Sequence, residues 1–262
     1  MSQPQGKCVF CGGTSLTKGH VWPAWLNKIL PVMATHHEQI VGKFETFTPT
    51  IPGPEYSVET RQGHARTRKP RNTCKRCNSG WMSRIEDAAI KPMTPLIFSV
   101  DVPLRMEDQR SIAALMCLIN MRLEFLGDFR AIPASDRAAL RETGLPPAGW
   151  CMWLAKFTGK RADDLVSRYN ALMAGMLTKP KNIGPEYCNT QVTTLVIGQL
   201  CAHLFRSSFV PFIEYDGARL AKIWPLTGYD INTQFLPTIS DQGVLSLAEA
   251  LPRAASESPH NP

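Results

Sequence analysis

The chain has 262 residues, of which 44% are hydrophobic and 19% are charged. This composition is typical of a globular protein of one or two domains, and it excludes a wholly disordered chain. The sequence contains no apolar run of about 18 residues, and its N-terminal segment has no apolar core. It therefore predicts neither a membrane-spanning helix nor a signal peptide, and we expect a cytoplasmic protein with no membrane partner.

Positive charge is concentrated in the first third of the chain. There are 29 Lys and Arg residues against 22 Asp and Glu residues, a net charge of +7. The first 94 residues contain 13 of the basic and 6 of the acidic residues, so the remaining chain is neutral. The densest stretch, Arg61 to Arg76, has seven basic residues and no acid. Such a stretch is typical of a surface that binds polyanions, and a solvated loop is the alternative interpretation.

The N-terminal third predicts short elements. Pro23 is suited to the first position of a short helix over 24–30, which Pro31 would end. Alternating apolar residues predict a strand over 41–48. Ser79 is a candidate N-cap for a helix that continues to the residue before Pro92.

Longer elements are predicted downstream. Asp108 is a candidate cap for a long helix with apolar residues at helical spacing, and a short helix is expected over 135–143. Strands are expected over 150–158, 193–200 and 220–224. The fold class is therefore α+β. We predict an N-terminal module over 1–94, a mixed helix and strand domain over 95–251, and a disordered tail over 252–262, which is rich in Ser, Pro and Ala.

The chain has eight cysteines, and four of them form two Cys-x-x-Cys pairs, Cys8 with Cys11 and Cys74 with Cys77. In a reducing compartment such pairs are more typical of metal ligands than of disulfides. Each pair can direct two thiolates at one ion, and two pairs complete a tetrahedron. The sequence predicts a structural Zn²⁺ site that closes a long loop. The other cysteines are expected to be small core residues: Cys117, Cys151, Cys188 and Cys201.

The residues around these pairs form a longer pattern. The first pair lies in Cys-x-Phe-Cys-Gly and is followed by Leu-Thr-Lys-x-His-Val-Trp-Pro; the second lies in Cys-x-x-Cys-Asn-x-Gly-Trp-Met-Ser-x-x-Glu. Together these motifs, over residues 8–92, resemble the zinc-containing HNH endonucleases of the ββα-metal nuclease superfamily. The resemblance implies a strand–loop–strand followed by a helix. It also implies a histidine base that activates water, and a divalent cation, Mg²⁺ or Mn²⁺, at the phosphodiester.

In this sequence His20 matches the histidine base of that family. Imidazole suits the role because its unperturbed pKa of about 6.5 lies near working pH. Without the flanking motif, a surface or core histidine would be the simpler interpretation. His203, in an apolar strand region, is expected to be structural.

Asn78 matches the position that often supplies a metal ligand from the helix, and its amide oxygen is an acceptable Mg²⁺ ligand. The alternative is a helix N-terminal residue that caps backbone donors. Asn72 is a candidate for the asparagine that orients the base, although its spacing to Cys74 is unusual. Glu86 is a candidate ligand or supporting residue of the divalent site, or else the partner of a neighbouring arginine.

Gly19 is a departure from the family pattern, because many members have Asp or Glu immediately before the base. A missing carboxylate weakens metal binding, since hard cations prefer anionic oxygen ligands. The leading hypothesis is a metal-dependent endonuclease that cleaves nucleic acid, with DNA as the preferred substrate. Its phosphate-positioning residues would be basic: Arg66, Arg68, Lys69 and Arg71. The alternatives are a catalytically weak or inactive zinc-stapled nucleic-acid-binding protein and a protein-interaction module.

Overall fold

The computed structural model describes residues 6–30, 36–43, 55–62, 69–127, 130–160, 165–172, 188–208 and 220–247. Residues 36–43, 55–62 and 165–172 are described by their backbone alone. The predicted strand at 41–48 lies partly, and the predicted tail at 252–262 entirely, outside the described residues.

The helices and strands of the described residues differ widely in length. The helices are α1 (Leu26–Ile29), α2 (Lys75–Cys77), α3 (Ser83–Ile97), α4 (Met106–Leu123) and α5 (Ala134–Thr143). The first strands are β1 (Leu16–Thr17), β2 (His36–Lys43), β3 (Glu55–Gln62), β4 (Thr73–Cys74) and β5 (Pro103–Leu104). The later strands are β6 (Trp150–Phe157), β7 (Leu165–Leu172), β8 (Thr190–Ile197), β9 (Leu200–Ser207), β10 (Ala221–Trp224), β11 (Ile231–Asn232) and β12 (Thr238–Ile239). The chain is thus mixed α+β, as predicted.

The N-terminal part places two strands before a helix. β1 pairs antiparallel with β4, with Leu16 opposite Cys74 and Thr17 opposite Thr73. The long segment between them contains the antiparallel β2–β3 hairpin. The chain leaves β4 directly into α2 and, through an irregular helical turn over Asn78–Met82, into α3. This order brings the two cysteine pairs to one end of the short β1–β4 ladder.

α3 differs from its predicted bounds at both ends. Ser79 does not cap it; its hydroxyl donates to the carbonyl of Lys75 (2.8 Å), because helical structure has already begun with α2. The helix then continues through Pro92 and Pro95. A proline inside a helix costs about 3 kcal/mol. Here the helix is maintained by the fully buried residues Ala89 and Met93, which belong to the same core as α4.

α4 is the central helix of the molecule. Asp108 lies in its first turn rather than at its cap, and its carboxylate accepts a hydrogen bond from the backbone N–H of Arg105 (3.0 Å). Every residue from Ile112 to Leu123 is buried. A helix that is buried all round lies within the core of a protein rather than at its surface. The predicted short helix at 135–143 is confirmed as α5 and ends at Gly144 in the left-handed conformation.

The large sheet is mostly antiparallel, with strand order β10-β6-β9-β8-β7, and β12 adds in parallel to β6. The strand predicted at 193–200 is wrong in its bounds, since β8 ends at Ile197 and β9 begins at Leu200. Gly198 forms the turn between them with φ +57°. A Cβ at this glycine would lie 2.6 Å from the carbonyl oxygen of Ile97, so the turn approaches α3 too closely for a side chain.

The predicted boundary at residue 94 falls inside α3. One hydrophobic cluster extends from Cys8 and Phe10 through α3 and α4 to Leu204 on β9. The described residues of the two predicted domains therefore share a core. None of the helices in the described part of the chain is both long and apolar enough to cross a membrane.

Candidate metal centre and the polar site beside it

The first cysteine pair lies on a tight turn. Gly12 N donates to Cys8 O (2.8 Å), and Cys8 N donates to Gly13 O (2.7 Å). Gly12 has φ +70°, a conformation that glycine adopts without steric cost. Gly13 N also donates to Cys11 Sγ (3.4 Å). The turn therefore directs both thiols to one side and supplies a backbone donor to one of them.

The second pair comes from the end of β4 and the single turn of α2. Pairing of β4 with β1 brings Cys74 and Cys77 to the first turn, so that the four thiol sulfurs lie within 4.8 Å of one another. Cys11 Sγ lies 3.6 Å from Cys74 Sγ. Metal–sulfur bonds of about 2.3 Å in a tetrahedron place sulfurs about 3.8 Å apart. The four cysteines, none of which forms a disulfide, could hold a metal ion.

Protonation of the thiols differs within the cluster. Burial raises the pKa of Cys8 and of Cys77 above the usual thiol value. Burial acts in the same direction on Cys11, but the Gly13 N–H and the other thiols outweigh it and lower the pKa of Cys11 to about 7. A metal must displace protons from such thiols, so its affinity rises with pH.

The cysteine cluster is packed into the rest of the protein. Val9 N donates to Asn72 O (2.9 Å), which joins the two cysteine segments. Val9 O accepts from Nε of Arg137 on α5 (3.2 Å). Phe10 packs edge-on against Trp81, with ring centroids 5.4 Å apart. Both cysteine segments are therefore fixed against the helical layer.

Arg122, near the end of α4, gathers a polar site beside this cluster. Its Nη1 donates to His20 O (2.9 Å) and to Glu86 Oε1 (2.9 Å). Its Nη2 donates to Asn78 Oδ1 (3.3 Å) and to Met82 Sδ (3.0 Å). Met82, the N-cap residue of α3, and Glu86 are four residues apart and so lie on one face of the helix, and Asn78 belongs to the irregular turn before it. One buried guanidinium thus joins the histidine segment to that face.

The charge of Arg122 is balanced by Glu86. The arginine side chain is 3% exposed and the carboxylate 20% exposed. Burial lowers the pKa of Arg122, and the adjacent Glu86 carboxylate opposes that effect. A buried charge without a partner is strongly destabilising. The alternative that we gave for Glu86, an arginine partner, agrees with this contact, although the arginine is distant in sequence.

His20 follows β1 and is half-buried. Burial, together with the positive charges of Lys69 and Arg122, lowers the pKa of His20 below its usual 6.5. Its imidazole is therefore neutral at pH 7 and is partly accessible to solvent. A neutral imidazole in contact with water is the protonation state that a general base requires.

Gly19 lies directly beside Asn78. A Cβ at Gly19 would be 3.5 Å from Asn78 Oδ1 and 3.8 Å from the Cβ of Thr73, which are ordinary van der Waals contacts. Neither backbone conformation nor space therefore requires glycine at this position. The absent carboxylate is a chemical property of this chain rather than a steric necessity.

Asn72 lies directly before β4 and contacts the first cysteine turn. In the described part of the chain its side-chain Oδ1 accepts from Thr73 Oγ1 (3.1 Å) and its carbonyl accepts from Val9 N. Its buried Nδ2 has no hydrogen-bond partner among the described residues. Asn72 therefore supports the cysteine turns, and its role in orienting His20 stays a prediction.

The predicted phosphate-contacting residues are only partly described. Lys69 and Arg71 are exposed, and Lys69 is close enough to affect His20. Arg66 and Arg68 lie outside the described residues. His203 is buried on β9, where its Nδ1 lies 2.9 Å from Thr194 Oγ1. This position fits its expected structural role.

Arg122 is the site residue that the sequence analysis missed. Its position three residues after Ile119 places it on the buried side of a predicted amphipathic helix. A charged residue on such a face needs a partner, because Arg is almost never fully buried unless paired. That signal was available, but it does not identify the partners.

Comparison with known proteins gives no relative: no protein-family model, curated protein or solved structure matches the chain.

Proposed function

We propose that the chain is an HNH-type endonuclease that cleaves phosphodiester bonds of nucleic acid, with DNA as substrate and His20 as the general base. The observation that carries this proposal is the Arg122 contact set. It joins the His20 backbone to Asn78 and Glu86, which are the residues that the sequence pattern assigns to one site. The β1–β4 pair followed by helical structure supports a ββα arrangement.

In this proposal the four cysteines hold a structural Zn²⁺ ion. Four thiolates are a soft donor set that suits zinc, and a closed tetrahedral site leaves no position for substrate. The ion keeps the β1 segment, and therefore His20, next to the start of the helix. It takes no part in the cleavage step.

A divalent cation at the phosphodiester fits the remaining residues weakly. Asn78 Oδ1 and Glu86 Oε1 already accept from Arg122, and Gly19 contributes no oxygen. What remains is Glu86 Oε2 and the second lone pair of the Asn78 amide oxygen. Mg²⁺ commonly keeps several waters and needs only one or two carboxylates. Bound there, Mg²⁺ or Mn²⁺ would stabilise negative charge on the phosphate oxygens.

The protein's own residues then have distinct tasks. His20, neutral at pH 7, accepts the proton of the attacking water. Arg122 holds the backbone carbonyl of His20 next to the side chains of Asn78 and Glu86. Lys69 and Arg71, both exposed, are available to contact phosphates near the cleaved bond.

Nicking of a supercoiled plasmid by zinc-loaded protein tests the proposal. Parent protein with added Mg²⁺ or Mn²⁺ should nick the plasmid, and His20→Ala should lower the rate by about 10²–10⁴-fold with unchanged zinc content. Lys18→Ala, an exposed neighbour, is the matched control. Omission of the divalent ion is preferable to a chelator, which would also remove the structural metal. Equal rates for parent and His20→Ala would contradict the assignment.

Gly19→Asp sharpens the same test. The structure has room for the new Cβ, which would lie 3.5 Å from Asn78 Oδ1. If cleavage is limited by weak metal binding, this variant should lower the Mg²⁺ concentration needed for half-maximal rate. Gly19→Asn adds similar volume without charge and is its control.

A second function is favoured by a specific observation. Arg122 places a positive charge against the oxygens that a divalent ion would use, and Gly19 supplies no compensating acid. Both features favour a zinc-stapled nucleic-acid-binding protein with little or no cleavage. The alternative would be established if the zinc-loaded parent protein binds DNA but nicks no plasmid with Mg²⁺ or Mn²⁺. The Gly19→Asp variant should then also fail to nick.

A further inference from the structure

An open cleft of about 320 Å³ lies where α3, α4 and α5 meet. Its apolar lining includes Trp81, Ile85 and Leu145. Trp81 follows Asn78 by three residues, so the cleft begins on the helical segment that carries the polar site. A volume of roughly 300–1,000 Å³ is typical of ligand-binding clefts.

Three arginines from three different helices line the cleft. Arg84 comes from α3, Arg110 from α4 and Arg141 from α5, and all three are exposed. None of them forms an ion pair or a side-chain hydrogen bond within the part of the chain that the structure describes. Glu142 is the acidic residue of the lining, which leaves a net charge of +2.

This arrangement contrasts with the buried arginines of the same helices. Arg122 on α4 is paired with Glu86, and Arg137 on α5 is paired with Glu124. The two buried arginines are therefore paired with carboxylates, whereas the three exposed arginines of the cleft are not. Like charges that surround a low-dielectric concavity concentrate positive potential there and attract anions.

We propose that this cleft binds a single strand of nucleic acid that continues from the bond held at His20. Its arginines contact successive phosphates, and its apolar lining contacts the bases. The inference rests on the proposed function in assuming that the chain acts on nucleic acid.

The dimensions fit a strand better than an isolated phosphate. The cleft extends from Trp81, in the irregular turn before α3, to Ala88 on α3, and a helical rise of 1.5 Å per residue gives about 10 Å for this length. A single strand that keeps the stacked spacing of a duplex, about 3.4 Å per nucleotide, would span this length with about three nucleotides. Arginines on three helices supply several positive charges for repeated phosphates, and a positively charged groove with an aromatic side chain such as Trp81 is typical of single-strand binding.

Binding of a fluorescent 12-nucleotide single strand to zinc-loaded His20→Ala protein, without added divalent ion, tests the cleft. Each of Arg110→Ala and Arg141→Ala should lower the slope of log affinity against log salt by about 0.7, which corresponds to about fivefold weaker binding at 0.1 M salt. Lys91→Ala removes an equal charge from an exposed position of α3 outside the cleft and should change neither quantity.

Three outcomes would overturn the inference. If Arg110→Ala and Arg141→Ala have the same affinity and salt dependence as Lys91→Ala, the strand does not bind in the cleft. Displacement of the strand by adenosine monophosphate or inorganic phosphate at equal phosphate concentration would indicate a small anionic ligand. Equal displacement by hexaglutamate would indicate an acidic peptide.

The two proposals fail separately. A parent protein that nicks plasmid while the arginine variants bind normally would refute the cleft alone. Strand binding that depends on Arg110 and Arg141 in a parent that cleaves nothing would retain the cleft and refute the endonuclease.

Discussion

The cysteine region, defined here as residues 6–30 and 69–82, differs from the large sheet in the length of its elements. Its strands have two residues and its helices three or four, whereas β6, β8 and β9 of the large sheet have eight residues each. β8 and β9 are buried along their entire length. The cysteine region instead contains four clustered thiols and contacts the buried guanidinium of Arg122. Its elements are short, so contacts with distant residues hold it in place: Val21 and Leu26 are fully buried in the main hydrophobic core, and the four thiols could bind a metal ion that joins the two cysteine segments.

Loss of one thiolate should destabilise the cysteine region far more than the large sheet, and this is the largest effect that we expect. Cys74→Ser should abolish metal binding and unfold the cysteine region, while β6, β8 and β9 keep their protection. Structural zinc sites contribute about 10–16 kcal/mol of apparent binding energy, against a net domain stability of about 5–15 kcal/mol. Elemental analysis and hydrogen exchange read by mass spectrometry measure both effects.

Cys151→Ser is the control for that experiment, because Cys151 is a half-buried residue of β6 outside the cluster. It should leave zinc content unchanged. Protein that retains normal protection in the cysteine region without any bound metal would contradict the expected dependence.

Two buried arginines allow an effect on stability to be distinguished from an effect on activity. Arg122→Met leaves Glu86 unpaired, and Arg206→Met leaves Asp136 unpaired beneath the sheet. Loss of one partner of a buried ion pair costs about 3–5 kcal/mol, so both variants should lose comparable stability in urea unfolding. Only Arg122→Met should lower plasmid nicking, because only Arg122 contacts the His20 segment. Equal nicking by the two folded variants would show that Arg122 is structural alone.

Acid should destabilise the sheet through His203. Burial lowers the pKa of His203 to about 3. Between that value and about 6.5 the unfolded chain binds a proton that the folded chain does not. Stability is therefore full above about pH 6.5 and falls by up to about 1.4 kcal/mol for each unit of decreasing pH. In urea unfolding at pH 6 and pH 5, the free energy of unfolding of His203→Gln should depend less on pH than that of the parent protein. Any pH-dependent contribution of metal binding is common to the two proteins and cancels in the comparison.

The smallest effect is expected at Lys69. Its charge contributes to the lowered pKa of His20. Lys69→Ala should therefore raise that pKa and move the acid limb of the nicking rate to higher pH, by less than about one unit because exposed charges are screened. Arg71→Ala, another exposed charge of the same segment, is the control. A limb that does not move would show that Lys69 does not influence the base.

Prediction from the sequence succeeded where a local signal was strong. The apolar spacing from Ile112 onward identified α4, and the short helix before Gly144 was placed within one residue. It failed where tertiary contacts outweighed local preference. α3 continues through Pro92 because its buried face packs in the core, and the turn at Gly198 was missed because the apolar run continues across it.

The sequence by itself determined the α+β composition and the two cysteine pairs, because Cys-x-x-Cys spacing and helical periodicity are properties of neighbouring residues. It also grouped His20, Asn78 and Glu86 through one motif. Only the tertiary structure decided that Arg122, more than 30 residues from any of them, joins their segments, and that residues on both sides of position 94 share a core. Long-range pairing of a buried charge depends on how helices pack, which local sequence does not encode.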